Sequence, residues 1–317
     1  MKRHDYGAGY RLNAAVKHPT RALRRAARIG VLTHIEEDFP ESKAKEAMLV
    51  VSYGAADEAA YEASIAATLA AIEEAHPGVT ITQAFTSDVM IRRFAASTGI
   101  RLPRPEAALE GLAAQGFTRV ALVSLDFFPG MDYALLGAVF QAYRQRFRKL
   151  VLGTPLMYWM AQEDQRDDVA TFVAALRTEF PPRAPDEAIL LMAHGTPHPS
   201  NAFYAVIQNR LEAAELENVF VYTIGGWPRL EHILPQLTAR GVKRVILLPL
   251  MMAVGKHVKE DMAGDDKKSH KSILEAAGFT VKVHLHGLGE SAALRRLYVK
   301  RAEEAWDTLR LEEDGNA

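Results

Sequence analysis

The sequence predicts an α/β protein of two similar halves, each a parallel sheet flanked by helices. Three observations carry this expectation. Apolar runs of strand length, Ala47-Met-Leu-Val-Val-Ser52, Val120-Ala-Leu-Val-Ser-Leu125 and Ala188-Ile-Leu-Leu-Met-Ala193, alternate with segments of helical periodicity. The runs are apolar on both faces, as strands covered by helices on two sides must be. The second half also repeats the first in order. Val50-Val-Ser-Tyr53-Gly54 matches Leu191-Met-Ala-His194-Gly195, Thr86 matches Thr223, the run from Gln115 to Leu125 matches Arg240 to Leu250, and Gly130 matches Gly255. Buried strands alone would not align their glycines, so an internal duplication is the simpler account. Two such halves facing each other leave a cleft lined by matching strand ends.

The elements follow in chain order. Residues 1–46 have weak periodicity and are expected outside the core fold, as an N-terminal extension. The first half spans 47–180 and the second 181–317. The strand from Ala47 runs into Tyr53-Gly54, and an Ala-rich helix follows from Glu58 to Ala75, closed by His76-Pro77-Gly78. Val79 to Phe85 alternates as a strand and ends at Thr86-Ser87-Asp88. Arg104 to Ala114 reads as a helix stopped by Gly116, and the strand from Val120 opens onto Phe127-Phe-Pro-Gly130-Met-Asp132-Tyr133. A helix, a strand at Leu150–Gly153 and a largely helical 156–182 complete the half. Prolines 181, 182 and 185 punctuate the passage to the strand ending at His194.

Composition excludes several function classes. The 317 residues are 49% hydrophobic and 24% charged with a net charge of −1, which gives no support to nucleic acid as a partner. No cysteine is present, so there is no disulfide, thiol nucleophile or cysteine-held cluster. A metal must then use His, Asp, Glu or backbone donors, which suits a borderline cation such as Co²⁺, Fe²⁺, Ni²⁺ or Zn²⁺. No segment is long and apolar enough to span a bilayer, and the expected location is cytoplasmic. The first 28 residues hold eight Lys/Arg against one acid without an apolar run behind them. They read as a solvated tail, with an arm for an anionic surface as the sharper alternative. There is no Gly-x-Gly-x-x-Gly, P-loop or Gly-x-Ser-x-Gly, so neither a nucleotide cofactor nor a serine hydrolase has support.

The histidines are unevenly placed. Seven of the eleven fall between 194 and 286, so metal-competent chemistry concentrates in the second half. His194 stands where ligands bind in open α/β sheets, at a strand's carboxyl end. The repeat pairs it with His257 on a neighbouring loop, and the first-half counterparts are Tyr53 and Asp132. Two imidazoles in this arrangement point to a metal or proton-transfer site. His198 reads as a loop histidine near the cleft mouth. Glu231 and His232 read as polar residues at a helix start. His284 and His286 share one face of a strand, most simply a solvated edge. Asp261, Asp265 and Asp266 are a solvated helix face or a funnel for cations. Phe127, Phe128, Met131, Met157, Tyr158, Trp159, Met160, Met251 and Met252 gather near strand ends; core packing explains most of them, and a flat macrocycle would need such a lining. Arg92 and Arg93 are surface charges or anchors for its carboxylates.

At these residues the chain resembles the anaerobic sirohydrochlorin cobaltochelatases, in their long, internally duplicated form. The resemblance runs from about Lys45 to about Leu309. Its most specific markers are Met192-Ala-His194-Gly-Thr196-Pro-His-Pro-Ser-Asn-Ala202 and Gly255-Lys-His257 followed by Asp261-Met-Ala-Gly-Asp-Asp266. Val50 to Gly54, Ala84-Phe-Thr-Ser87 and Gly287-Leu-Gly-Glu290 add to them. The resemblance implies a class II chelatase-like fold and ATP-independent insertion of Co²⁺, as substrate metal, into the tetrapyrrole sirohydrochlorin of cobalamin biosynthesis. Fe²⁺ and Ni²⁺ are the alternative metals. It also implies that His194 and His257 hold the metal and that His194 takes a pyrrole proton. Tyr53, Phe128, Asp132, Thr196 and Trp227 are the expected cleft lining, and homo-oligomerisation is left open. The third family ligand, a glutamate, is replaced by Gly225, with Glu231 the candidate substitute. Lys256 stands where a small or acidic residue is usual, and His270 where a tryptophan is. An alternative reading of those departures is a tetrapyrrole- or haem-binding protein without chelatase activity, a histidine serving as axial ligand.

Overall fold

Among the described residues of a computed structural model, 30–40, 43–161 and 165–311, nine strands form two sheets. The first holds β1 (Leu32–Ile35), β2 (Glu46–Ser52), β3 (Thr80–Phe85), β4 (Arg119–Ser124) and β5 (Lys149–Leu152), in the order β1-β5-β4-β2-β3. The second holds β6 (Glu187–Ala193), β7 (Val219–Thr223), β8 (Arg244–Pro249) and β9 (Thr280–Val283), in the order β7-β6-β8-β9. Without β1, the two orders are the same: β3-β2-β4-β5 and β7-β6-β8-β9. Every neighbouring pair is parallel except β1 with β5. The duplication read from the sequence is thus a repeated strand topology. The central strands β2, β4, β6 and β8 are buried along almost their whole length, as covered parallel strands must be.

Helices fill the crossovers. Ser87 Oγ accepts from the Met90 amide and opens the helix Asp88–Thr98, which ends at Gly99 in the left-handed region. The Ala-rich helix read from Glu58 to Ala75 carries a π segment at Tyr61–Ala66 between α-helical Glu58–Ala60 and Ala67–Ala75. The stretch 156–182 differs from its largely helical expectation. Among its described residues, only Asp168–Arg177 is α-helical. The Asp168 carboxylate accepts from the Tyr158 amide at 3.0 Å and the Trp159 amide at 2.9 Å.

The expectation that residues 1–46 lie outside the core fold needs correcting at its end. Leu32–Ile35 pairs with β5, Leu32 opposite Leu152. Four residues are too short for a period-2 pattern to declare itself, and the partner edge is remote in sequence. The basic segment 1–28 lies outside the described residues.

The chain divides into two compact units that do not follow the repeat boundary. The first comprises residues to Gly54, Leu69–Asp168 and those from Arg296; the second comprises Ala55–Thr68 and Val169–Arg295. Each half therefore contributes a segment to the other's unit. In the first unit, the C-terminal helix brings in Arg301, buried against Asp168 at 2.7 Å, and Glu304, 3.1 Å from Arg166. Ala305 packs so closely that a Cβ on Gly153 would meet its Cβ at 3.0 Å. Within the second unit, Asp57 caps the Ala60 amide and lies 3.9 Å from Lys259, while Ser64 abuts Gly289. Each unit has its own apolar core, built on Leu49, Leu122 and Phe140 in the first and on Leu190, Tyr222 and Leu247 in the second.

Candidate metal centre

The second unit's strands deliver their carboxyl ends to one edge of the sheet. β6 ends at Ala193, and His194 is the first residue beyond it. Gly195 has a φ of +79°, and a Cβ there would collide with the Gly226 amide. Only glycine permits that approach. The two loops are tied by the Ile224 amide donating to Ala193 O at 3.0 Å and the Gly225 amide donating to His194 O at 2.8 Å. The His194 backbone is therefore fixed from both sides while its side chain stays exposed. His194 Nδ1 donates to Gly195 O at 3.0 Å. A carbonyl can only accept, so the proton sits on Nδ1 and the lone pair on Nε2.

The second imidazole comes from the loop after β8. His257 opens a π-helical segment, His257–Met262, which places Asp261 beside it. The ring donates Nδ1–H to Asp261 Oδ2 at 2.5 Å, again leaving Nε2 as the donor nitrogen. This is the carboxylate–histidine arrangement that orients metal ligands and raises their basicity. The His194 and His257 ring centroids are 5.1 Å apart with the planes at 77°. Imidazole nitrogens bind divalent metals at about 2.0–2.1 Å, so a cation between these rings is a short reach for both.

The sequence matches the cobalt chelatase (CbiK) family over residues 46–307. The chain belongs to the cobalt chelatase family. It is 33% identical over 261 residues to the sirohydrochlorin cobaltochelatase of Salmonella typhimurium, covering 82% of this chain and 96% of that one. It is 38% identical over 222 residues to sirohydrochlorin cobaltochelatase CbiKC of Nitratidesulfovibrio vulgaris, covering 69% of this chain and 76% of that one. In fold it is similar to SirB from Bacillus subtilis with Fe³⁺, at a TM-score of 0.54 and 16% identity, covering 84% of this chain and 96% of that chain. The expected chelatase-like α/β architecture is thus the architecture found.

The remaining residues of this chelatase divide by unit. In the second, Gly225 occupies the position of the expected glutamate. A Cβ there would meet only His194 O, at 3.4 Å, so the backbone leaves room for a side chain that the sequence omits. Glu231 lies on the first turn of the helix Leu230–Ala239, exposed, and its charge acts on His270. Among the described residues, no third His, Asp or Glu converges with His194 and His257 as a preformed trio. Lys256 turns to Glu260 at 3.5 Å, and Lys271 to Asp265 at 3.1 Å. His270 accepts or donates with Tyr222 Oη at 3.0 Å, and burial pushes its pKa down. His198 Nδ1 accepts from the Ser200 amide at 3.1 Å, and His232 Nδ1 from the Arg229 amide at 3.2 Å, so both act as local caps. Thr196 and Trp227 flank the loop pair. The Asn201 side chain joins them, accepting from the Thr196 amide and donating to Trp227 O. Trp227 is 60% exposed.

Among the described residues, the first unit presents no imidazole at its matching strand ends. Tyr53 is 51% exposed after β2. Asp132 sits on the first turn of the helix Met131–Tyr143 and accepts from Thr86 Oγ1 at 2.8 Å. Phe128 is half-buried in the loop after β4. Asp126, which sequence reasoning passed over, accepts from Ser124 Oγ at 2.6 Å, and burial pushes its pKa from 3.8 up to about 7, with Asp132 adding to the rise. Nothing in the pattern around Asp126 announces this, since burial of a loop carboxyl is a tertiary property. Asp261 was legible only as part of an acidic cluster; its four-residue spacing from His257 was the available signal. Arg92 and Arg93 are exposed. Among the described residues, no helix is long and apolar enough to cross a membrane.

Proposed function

We propose that this cobalt chelatase family member inserts Co²⁺ into sirohydrochlorin in the cobalamin pathway, without a nucleotide, using His194 and His257. The reading is supported by the two Nε2 donors that their own Nδ1–H bonds single out, 5.1 Å apart between ring centroids. The family match adds the substrate metal and ring. Co²⁺ is held by the two nitrogens and completed by water. As the ion passes to the pyrrole nitrogens, two pyrrole protons leave, so the net charge carried into the ring is zero. The same passage frees the Nε2 lone pairs; His194 takes one departing proton at that atom and water takes the other. One lone pair thus serves first as ligand and then as base. Gly225 contributes no anionic ligand, so the site holds its metal less tightly than one with a carboxylate would, which favours release to the macrocycle. Fe²⁺ and Ni²⁺ fit the same donors, because imidazole separates these ions poorly.

The test follows sirohydrochlorin absorbance with Co²⁺, Fe²⁺ and Ni²⁺ in turn, with His194→Ala as control. Acceleration by the wild type, greatest with Co²⁺ and lost in the variant, is expected. No acceleration with any of the three metals overturns the reading. Gly225 favours one second reading, a protein that binds a metallated tetrapyrrole without making it. Tight binding of the cobalt ring with no turnover selects that reading instead.

A further inference from the structure

A second pair of imidazoles stands at the same edge of the second unit's sheet. His284 and His286 follow β9, whose carboxyl end lies alongside that of β8. The chain stays extended here, the His284 amide donating to Leu247 O at 2.9 Å, so the two side chains leave on one face. Their rings are 4.5 Å apart between centroids and only 18° from parallel. Two carboxylates attend them. Glu290 places Oε2 3.8 Å from His286 Nδ1, while its Oε1 is anchored by the Gly287 amide at 2.6 Å. Glu179, held by Ser291 Oγ at 2.6 Å, acts electrostatically on His284 together with Glu290. The His286 side chain is 62% exposed, so the cluster opens to solution.

The loop that carries this cluster is joined to the loop leading to His257. The Leu288 amide donates to Met251 O at 2.8 Å and the Gly289 amide to Met252 O at 2.9 Å. Gly287 passes so near that a Cβ on it would meet Met252 O at 2.7 Å. The His284–His286 pair is therefore a fixed neighbour of the segment that delivers His257.

We propose that His284 and His286, supported by Glu290, form a second divalent-cation site, an accessory capture site for a borderline metal such as Co²⁺ or Ni²⁺. A tetrahedral ion at about 2.0–2.1 Å from two imidazole nitrogens sets those nitrogens roughly 3.3 Å apart. Near-parallel rings with centroids 4.5 Å apart already stand close to that spacing. Water fills the positions left over, and the Glu290 carboxylate supplies negative charge to a site whose imidazoles are neutral when they bind. Two neutral donors and open exposure make it weaker and faster-exchanging than an enclosed site, which suits capture rather than storage. The geometry of this cluster is independent of the role of His194 and His257.

The test counts Co²⁺, and separately Ni²⁺, bound per chain by equilibrium dialysis of the full, untagged protein. Four forms are compared: wild type, H194A/H257A, H284A/H286A, and the combination. Wild type is expected to bind one more ion than H284A/H286A, and H194A/H257A one more than the combination. Equal binding by H194A/H257A and the combination overturns the accessory site, and so does equal binding by wild type and H284A/H286A. If H194A/H257A matches wild type while H284A/H286A has lost an ion, the accessory site stands and the reading of His194 and His257 falls. Because His286 is well exposed, H286Q is the second variant; it is expected to keep cooperative thermal unfolding and to weaken the accessory ion at least tenfold. Unchanged affinity in H286Q counts against the proposal.

Discussion

Two strand-end sets built on one topology carry different side chains in this molecule. β3-β2-β4-β5 and β7-β6-β8-β9 run in the same order and deliver equivalent loops. The second set carries His194 and His257 with their Nε2 atoms singled out; the first carries Tyr53 and Asp132 in the equivalent places, with Asp132 bonded to Thr86. A duplicated scaffold therefore does not make duplicated chemistry. Strand order places a loop, and the residues the loop carries decide which donor atoms the place offers.

The units also differ in how they are held. The first buries a charged network in which Arg301 and Asp168 are both almost wholly enclosed. The second relies at its strand ends on close backbone approach, as where Gly195 meets Gly226 and Gly287 meets Met252 O. A charged network is sensitive to loss of one partner, because the other is left buried and unpaired. Glycine contacts are sensitive instead to any added side chain.

Removing the strand-end residue of each set separates the two halves most clearly. His194→Ala is expected to lower the rate of cobalt insertion about 10²–10⁴-fold, the usual worth of a positioned acid–base group. Tyr53→Phe is expected to cost less than about tenfold. Comparable losses in both, followed by sirohydrochlorin absorbance, would show the halves sharing the chemistry. Next in size, Asp168→Ala is expected to destabilise the first unit by about 3–5 kcal/mol. Trp159 and Trp306 report that unit and Trp227 the other, so fluorescence-monitored denaturation separates them. An unfolding midpoint that moves equally for all three tryptophans would show that the network is not local to the first unit. Asp261→Ala removes the acceptor that orients His257 and should weaken Co²⁺ binding about 10–100-fold, read by competition with a chelating dye. Gly225→Glu should act in the opposite direction, strengthening Co²⁺ binding at least about tenfold by adding an anionic donor beside His194. No gain there would mean that position 225 does not face the ion.

The remaining effect is on pH dependence. Burial lifts Asp126 from 3.8 to about 7, so between those values the folded chain holds a proton that the unfolded chain has lost. The contribution of this group to stability therefore falls as pH rises from about 4 to about 7 and stays low above it. Asp126→Asn removes that slope. The variant should match wild type near pH 4 and exceed it at pH 8, by up to roughly 1.4 kcal/mol for each unit of displacement. A variant less stable at pH 8 would mean that the Asp126 carboxylate is held by partners rather than penalised by burial.

Much of this was legible in the sequence, for physical reasons. A parallel strand buried on both faces must be apolar throughout, so β2, β4, β6 and β8 announced themselves, and the aligned Gly54 and Gly195, both at positive φ, exposed the repeat. The same logic placed His194 and His257 at strand ends, and the resemblance gave them a role. Other features depend on neighbours remote in the chain. β1 is four residues paired to an edge more than a hundred positions away. The Arg301–Asp168 pair and the exchange of Ala55–Thr68 and the C-terminal helix between units leave no periodic trace. Sequence alone determined the fold class, the repeat and the candidate histidines, because hydrophobic period and loop position are local. Only tertiary structure decided that Nε2 is the lone-pair atom on both rings, that Asp261 orients one of them, that a Cβ at Gly225 would meet only His194 O, and that His284 and His286 stack. Each of those rests on a hydrogen bond, a clearance or a ring contact that exists only once the chain has folded.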